Sequence, residues 1–270
     1  MRQSYIANSR KKTECEVHFR YPLQIRTNDI RSLKTMESKR GGTKLEEDRR
    51  IQNKQRFKDL LLETKREGME DLLAWLETET DFFEAPASSS PKYHDAEPGG
   101  LCQHSLNVYD CLEQKLRQPL WRKAFIKTGV TEATLRISAL LHDICKVNQY
   151  VLSPKNQKTY DPEKVAAAPE KMRKTDGNGV FIWETVMGYQ IEDKLPLGHG
   201  EKSVILAMDH IKLTDAEKHA IRWHMGFTED GVKFRLGEVY RTRPIAWAIH
   251  EADMEATYLS GYLADTQASS

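Results

Sequence analysis

His142 and Asp143 are adjacent, with His104 upstream and Asp253 far downstream, and these four side chains are of the two types that divalent first-row metals favour, imidazole and carboxylate. A carboxylate has two oxygens, so Asp143 is able to bridge two ions. His199 and His224 would then complete a second site with it. Lys146, three residues after Asp143, would hold a phosphate oxygen or steady charge on a leaving group, unless it is simply an exposed lysine. A lone buried aspartate more often pairs with a histidine or lysine in a structural network. Two aspartates and several histidines in one apolar setting favour a metal instead.

These residues need helices to hold them. Leu101, His104, Val108, Leu112 and Lys115 recur at helical spacing, which puts His104 on an inward face. Thr131 is a good N-cap for a helix read through to His142-Asp143, apolar nearly all round and therefore central. Thr214 to Glu217 fits a capping box for a helix that closes at His224, with Gly226 as its stop. A last helix from Pro244 carries Ala246, Ile249, His250, Asp253 and Thr257 on one stripe. Between Ser203 and Ile211 the periodicity puts Val204, Ile205, Met208 and Ile211 on one apolar side. His199 lies just ahead in Gly198-His199-Gly200, where small neighbours permit close backbone approach. His210, His219 and His18 read as solvent-facing or capping, and His250 as either a support for a ligand or a core histidine.

Upstream, a helix beginning near Lys44 brings in Phe57 and Leu60 to Leu62, and a second, separated from it by Gly68, shows a Met69, Leu72, Leu73, Leu76 stripe. Residues 85–100 are a loop rich in Pro, Ser and Gly. From 148 to 196 the pattern changes to Tyr, Val, Phe and Trp among Pro, Gly and Asn, which predicts a long excursion with a β-hairpin, one strand at Val180 to Trp183, and a candidate lid. The fold class expected is all-α, a helical bundle with a partly β insertion.

With 270 residues, 39% of them hydrophobic, one large domain over 44–263 is favoured over two small ones. Mean hydropathy of −0.66 and the lack of any membrane-length apolar span predict a soluble, cytoplasmic protein with no membrane partner. Residues 1–43 carry a net charge of +6 and the remainder −5. That basic arm reads as a disordered extension, or as a contact for nucleic acid or an anionic surface; residues 264–270 form a short tail. Cys15, Cys102, Cys111 and Cys145 lack CxxC spacing, and three lie in apolar helical segments, so neither a disulfide framework nor a zinc knuckle is expected.

In their order along the chain, His104, His142-Asp143 and Asp253 resemble the HD-domain metal-dependent phosphohydrolase superfamily, over roughly Lys44 to Tyr262. The string from Gly99 to Leu106, preceded by Tyr93-His94, is similar to the entry of the HD domain in certain 3′-to-5′ exoribonucleases. Gly198 to Ser203 and Ala220 to Gly226 look like motifs of bacterial and phage HD hydrolases. The resemblance implies His104, His142, Asp143 and Asp253 on a first metal and Asp143, His199 and His224 on a second. Lys146 matches the lysine that often follows the doublet, so Asp143 and Lys146 are the expected catalytic residues; His94 is a candidate for substrate binding, and Lys202, Arg222 and Arg173 are, on their own charge, weaker candidates for phosphate contact. Cys145 departs from the pattern, standing where many members have glycine, and the Gly-Tyr-Pro signature of cyclic-di-GMP enzymes is missing.

The expected activity is hydrolysis of a phosphoester, in a nucleotide or a short single-stranded nucleic acid, by a metal-activated water; the ions would be two divalent metals from among Mn, Fe, Mg and Zn. The near-neutral body favours such a substrate over a long duplex, and no obligate protein partner is implied. Two other readings use the same ligands: a di-iron HD-type oxygenase resembling myo-inositol oxygenase, and a binding module that keeps metal for structure.

Overall fold

The computed structural model describes residues 41–90, 95–228 and 233–259. The N-terminal extension, His18, His94, Gly231 and the C-terminal tail lie outside the described residues. Two helices come first: α1 (Gly41–Leu62), which buries Phe57 and Leu61, and α2 (Met69–Thr78), which buries the stripe Met69, Leu72, Leu73, Leu76. Phe57 packs on Phe82 and Phe83, with ring centroids 4.8 and 5.7 Å away, where the chain turns toward the next helix.

In α3 (Gly100–Lys115) the five residues read as an inward face, Leu101, His104, Val108, Leu112 and Lys115, are all buried. Lys115 is tolerated there because Glu251 and Glu255 meet it at 3.0 and 2.8 Å. A helix that apolar periodicity passes over, α4 (Pro119–Thr128), leads to α5 (Glu132–Leu141). The Thr131 hydroxyl accepts the Thr134 N–H at 3.2 Å, as its N-cap position requires. The helix ends two residues before Asp143. His142 is its C-cap, and Asp143, at φ −112 and ψ 15, has already turned out into a short 3₁₀ turn, Ile144–Lys146.

The excursion is more regular than expected, and the all-α expectation becomes a mostly helical fold with a β insertion. β1 (Tyr150–Thr159) pairs antiparallel with the central strand, register Tyr150↔Ile191 to Thr159↔Ile182. After α6 (Pro162–Ala167) come the short β2 (Lys174–Asp176) and that central strand, β3 (Gly179–Ile191), giving the order β1-β3-β2. Val180 to Trp183 falls inside β3. Pro154 is accommodated because β1 is an edge strand and needs no ladder donor on its outer side. Most of the sheet is exposed. Phe181 alone among its strand residues is buried, under Lys158 at 4.3 Å.

In α7 (His199–Met208) the inward face is Gly200, Lys202, Ser203 and Ala207; of the expected apolar side, Ile211 just past the helix is buried and Val204 half-buried, while Ile205 and Met208 are 45% and 47% exposed. The reason is close packing of small residues. A Cβ on Gly200 would stand 2.1 Å from the Arg222 carbonyl oxygen of α8 (Asp215–Trp223). The capping box at Thr214 and Glu217 forms, and α8 gives way to a turn at His224. A further helix, α9 (Lys233–Thr242), precedes α10 (Pro244–Tyr258). α3 packs on α5 and α10, and α8 packs on α5, α7 and α10, so the ends of α5 and α8 meet inside this group. No helix among the described residues is long and apolar enough to cross a membrane.

Candidate metal centre

Five elements deliver side chains to one buried place: α3 brings His104, the C-terminal end of α5 His142 and Asp143, the end of α8 His224, α10 Asp253, and the first residue of α7 His199. His142 and His224 are wholly buried; His104, Asp143 and Asp253 are 6%, 3% and 7% exposed. Each of two histidines closes its own helix in the same way. His142 Nδ1 lies 2.8 Å from the Ala139 carbonyl oxygen and His224 Nδ1 2.7 Å from that of Ile221, so Nδ1–H donates and the lone pair is left on Nε2. Both Nε2 atoms, with Asp143 Oδ1, are buried and make no hydrogen bond.

Those three acceptors face one another. His224 Nε2 stands 3.5 Å from Asp143 Oδ1, and His142 Nε2 stands 3.4 Å from Asp143 Oδ2. Buried acceptors left without donors cost about 1–3 kcal/mol each, so this arrangement asks for a cation. A divalent ion fits the donor set. His142, Asp143 and His224 offer ligand atoms all within 4.8 Å of one another, and so do His104, His142 and Asp253. The second trio is partly satisfied internally, since His104 Nε2 meets Asp253 Oδ1 at 3.1 Å. Burial would raise the Asp253 carboxyl, but the hydrogen bond from His104 and the nearby His142 bring it down to about 2.

Lys146 is not an exposed lysine. Its Nζ sits 2.6 Å from Asp143 Oδ2 and donates to the Ala87 carbonyl at 2.9 Å. Burial opposes the charge on both partners; their mutual attraction, with His142 adding to it at the carboxylate, holds Asp143 well below the carboxylate range and Lys146 above the lysine range.

The expected second trio of Asp143, His199 and His224 is gathered differently. His199 meets Asp143 together with Cys145, whereas His224 meets Asp143 together with His142. Two further candidates are engaged elsewhere. Lys202 is buried against Asp193 at 2.6 Å, and Arg222 pairs with Glu201 and lies over the Trp223 ring, 4.5 Å from its centroid. His94 lies outside the described residues. His250 packs behind His224: its Nδ1 is 2.7 Å from the His224 carbonyl oxygen, and a Cβ on Gly226, at φ 63, would run into its ring. His210 pairs with Asp71 at 2.6 Å, and His219 reaches back to the Asp215 carbonyl at 2.7 Å.

Two residues near the centre escape sequence reasoning. Cys145 reads as a small core hydrophobe, and it is one, fully buried; its place two residues after Asp143 is the signal that points to more. Asp95, whose Oδ2 is 3.9 Å from His104 Nδ1, sits in a loop with no periodicity to mark it. Fold and site together define a mostly helical protein with a β insertion and buried histidine, aspartate and cysteine groups able to hold metal. Comparison with protein-family models, curated proteins and solved structures finds no match to this chain.

Proposed function

We propose that this chain is a metal-dependent phosphohydrolase of the HD type, acting on a nucleotide or a short single-stranded nucleic acid. The observation that carries the reading is the convergence of three buried, unsatisfied acceptors, His142 Nε2, His224 Nε2 and Asp143 Oδ1, on helix ends whose Nδ1 hydrogen bonds have already chosen the ligating tautomer. Divalent ions held there would supply Lewis acidity and lower the pKa of a bound water. His104, His142 and Asp253 would hold one, with Asp143 and His224 joining His142 around the same place and Asp143 reaching toward His199 for a second.

The chain's own groups do the rest. Asp143 presents one oxygen to Lys146 and leaves the other toward His224, so the carboxylate is oriented before any ligand arrives. Lys146 keeps a positive charge beside it, where a phosphoryl oxygen would also need one, and its hydrogen bond to the Ala87 carbonyl holds the ammonium in place. His250 fixes the backbone of His224.

The test is metal analysis of protein purified without oxygen, followed by phosphate release from nucleotides, cyclic dinucleotides and short RNA. His142→Ala and Asp143→Ala should lose bound metal and activity while far-ultraviolet circular dichroism is unchanged. Full activity in either variant removes the proposal, and iron content with oxygen uptake and no phosphate release replaces it with the oxygenase reading.

A further inference from the structure

Beside the histidine and aspartate ligands of the first site lies a further group, Asp143, Cys145 and His199, whose ligand atoms are also within 4.8 Å of one another. We propose that Cys145 is a metal ligand, completing with Asp143 and His199 a mixed carboxylate, thiolate and imidazole site. The inference rests on the reading of the cluster as a metal centre and adds to it which ion the second position takes.

Three features of the chain place the thiol there. The helix stops at Leu141, and the following 3₁₀ turn puts Asp143 and Cys145 close enough to serve one ion, which two residues apart on a continuing helix would not be. The Cys145 N–H donates to the Ser203 hydroxyl at 3.2 Å, tying that turn to α7, the helix that begins with His199. Gly200 then lets α7 approach the Arg222 carbonyl, seating the helix start against α8. Asp143 itself is buried and belongs to both groups, and its Oδ1, 3.5 Å from His224 Nε2, makes no hydrogen bond, so a buried carboxylate oxygen where the groups join is left without a donor.

The chemistry sets the ligand class. A set of one sulfur, one nitrogen and one oxygen suits zinc, iron(II) or cobalt(II); magnesium and calcium prefer oxygen throughout. On binding, the sulfur–metal bond forms and the thiol proton leaves to solvent. Cys145 is fully buried while His199 is only partly so, and the ion would therefore be approached from the His199 side.

The experiment uses the full chain, stripped with a chelator and titrated with cobalt(II). Binding stoichiometry is read by equilibrium dialysis and ligation by the near-ultraviolet sulfur-to-cobalt charge-transfer absorption. The wild type and Cys102→Ala should show this band, and Cys145→Ala should lose it. The second equivalent of cobalt should then bind more weakly by more than the roughly 10–100-fold that loss of a ligand's hydrogen-bond partner costs. Cobalt bound without the band, or a band that persists in Cys145→Ala, overturns the thiolate ligand and leaves the metal centre standing. No cobalt bound by the wild type overturns both. X-ray absorption of the zinc-loaded wild type needs no variant: a sulfur scatterer at about 2.3 Å supports the proposal, and nitrogen and oxygen alone refute it.

Discussion

Lys146→Met is the substitution that most directly tests the electrostatics of the centre. The Lys146 ammonium lies 2.6 Å from Asp143 Oδ2, and the carboxylate is 3% exposed. At an effective dielectric of about 20, two unit charges at that distance attract by roughly 6 kcal/mol, much of which offsets the cost of removing both from water. Methionine fills similar volume without the charge, so Asp143 is left buried without its ammonium partner, and stranding one member of such a pair costs about 3–5 kcal/mol. The Ala87 carbonyl keeps the Tyr150 hydroxyl at 3.3 Å, so little of the loss arises there. At about 2–4 °C per kcal/mol for a chain of this size, the metal-free variant should melt roughly 6–20 °C below the wild type by calorimetry. Asp143→Asn combined with Lys146→Met should regain most of that, and added zinc should raise the single variant more than the wild type, because the ion then meets an uncompensated carboxylate. A single variant that melts with the wild type, or a double variant no more stable than the single, refutes the reasoning.

Three further predictions concern a buried ion pair, a more exposed one and the thiols. Glu217 is wholly buried and is held by Arg66 at 2.7 and 2.9 Å, so Arg66→Ala should lower stability by about 3–5 kcal/mol in urea unfolding and weaken metal binding through α8; an unchanged midpoint would count against it. Glu77 is held below the ordinary glutamate range by hydrogen bonds from Lys58 and Lys54 at 2.7 and 2.9 Å. Its folded form therefore takes up a proton later on acidification than its unfolded form. The stabilisation is full above the ordinary glutamate pKa and fades as pH falls through the lowered one. The stability gap between wild type and Glu77→Gln, about 1 kcal/mol near neutrality, should close on acidification, and a gap that widens there contradicts the ion pairs. Burial pushes the Cys102 and Cys145 thiols up to about 12 and Cys111 to about 11, so at a given pH the first two have roughly a thousandth of their usual thiolate. Iodoacetamide at about pH 8 should label Cys102 and Cys145 far more slowly in the folded metal-free protein than in urea, as peptide mapping would show; equal rates would mean that these two thiols are not buried.

Where the outcome of folding is governed by contacts along one helix, it is legible in the residue pattern alone. The stripe of α2, the buried face of α3, Thr131 as a cap and the Thr214 capping box are local arrangements, and all four are present. Helix α4 escapes a reading by periodicity although Pro119 at its first position and Gly129 just past its end mark it, because its apolar pattern is weak and only Trp121 and Phe125 are buried. Helix α7 exposes two of the residues its apolar pattern favours, Ile205 and Met208, because the approach to α8 is made through Gly200 and the turn after α5 is met by Ser203. The strand β1 shows little alternation because it is an exposed edge, held mainly by its pairing with β3.

By itself the sequence determined the types of the candidate ligands, the helices that carry His104, His224 and Asp253, and the place of the His142-Asp143 pair at the end of a buried helix, since these depend on residue chemistry and helical period. Only the tertiary structure decided how the ligands are shared. Which side chain meets which depends on where α5 stops, how closely α7 rests on α8, and how a buried carboxylate divides its two oxygens between an ammonium and an imidazole, and these are distances between segments far apart in the chain. That is why Lys146 proved to be a partner of Asp143, and why His199 stands with Cys145 rather than with His224.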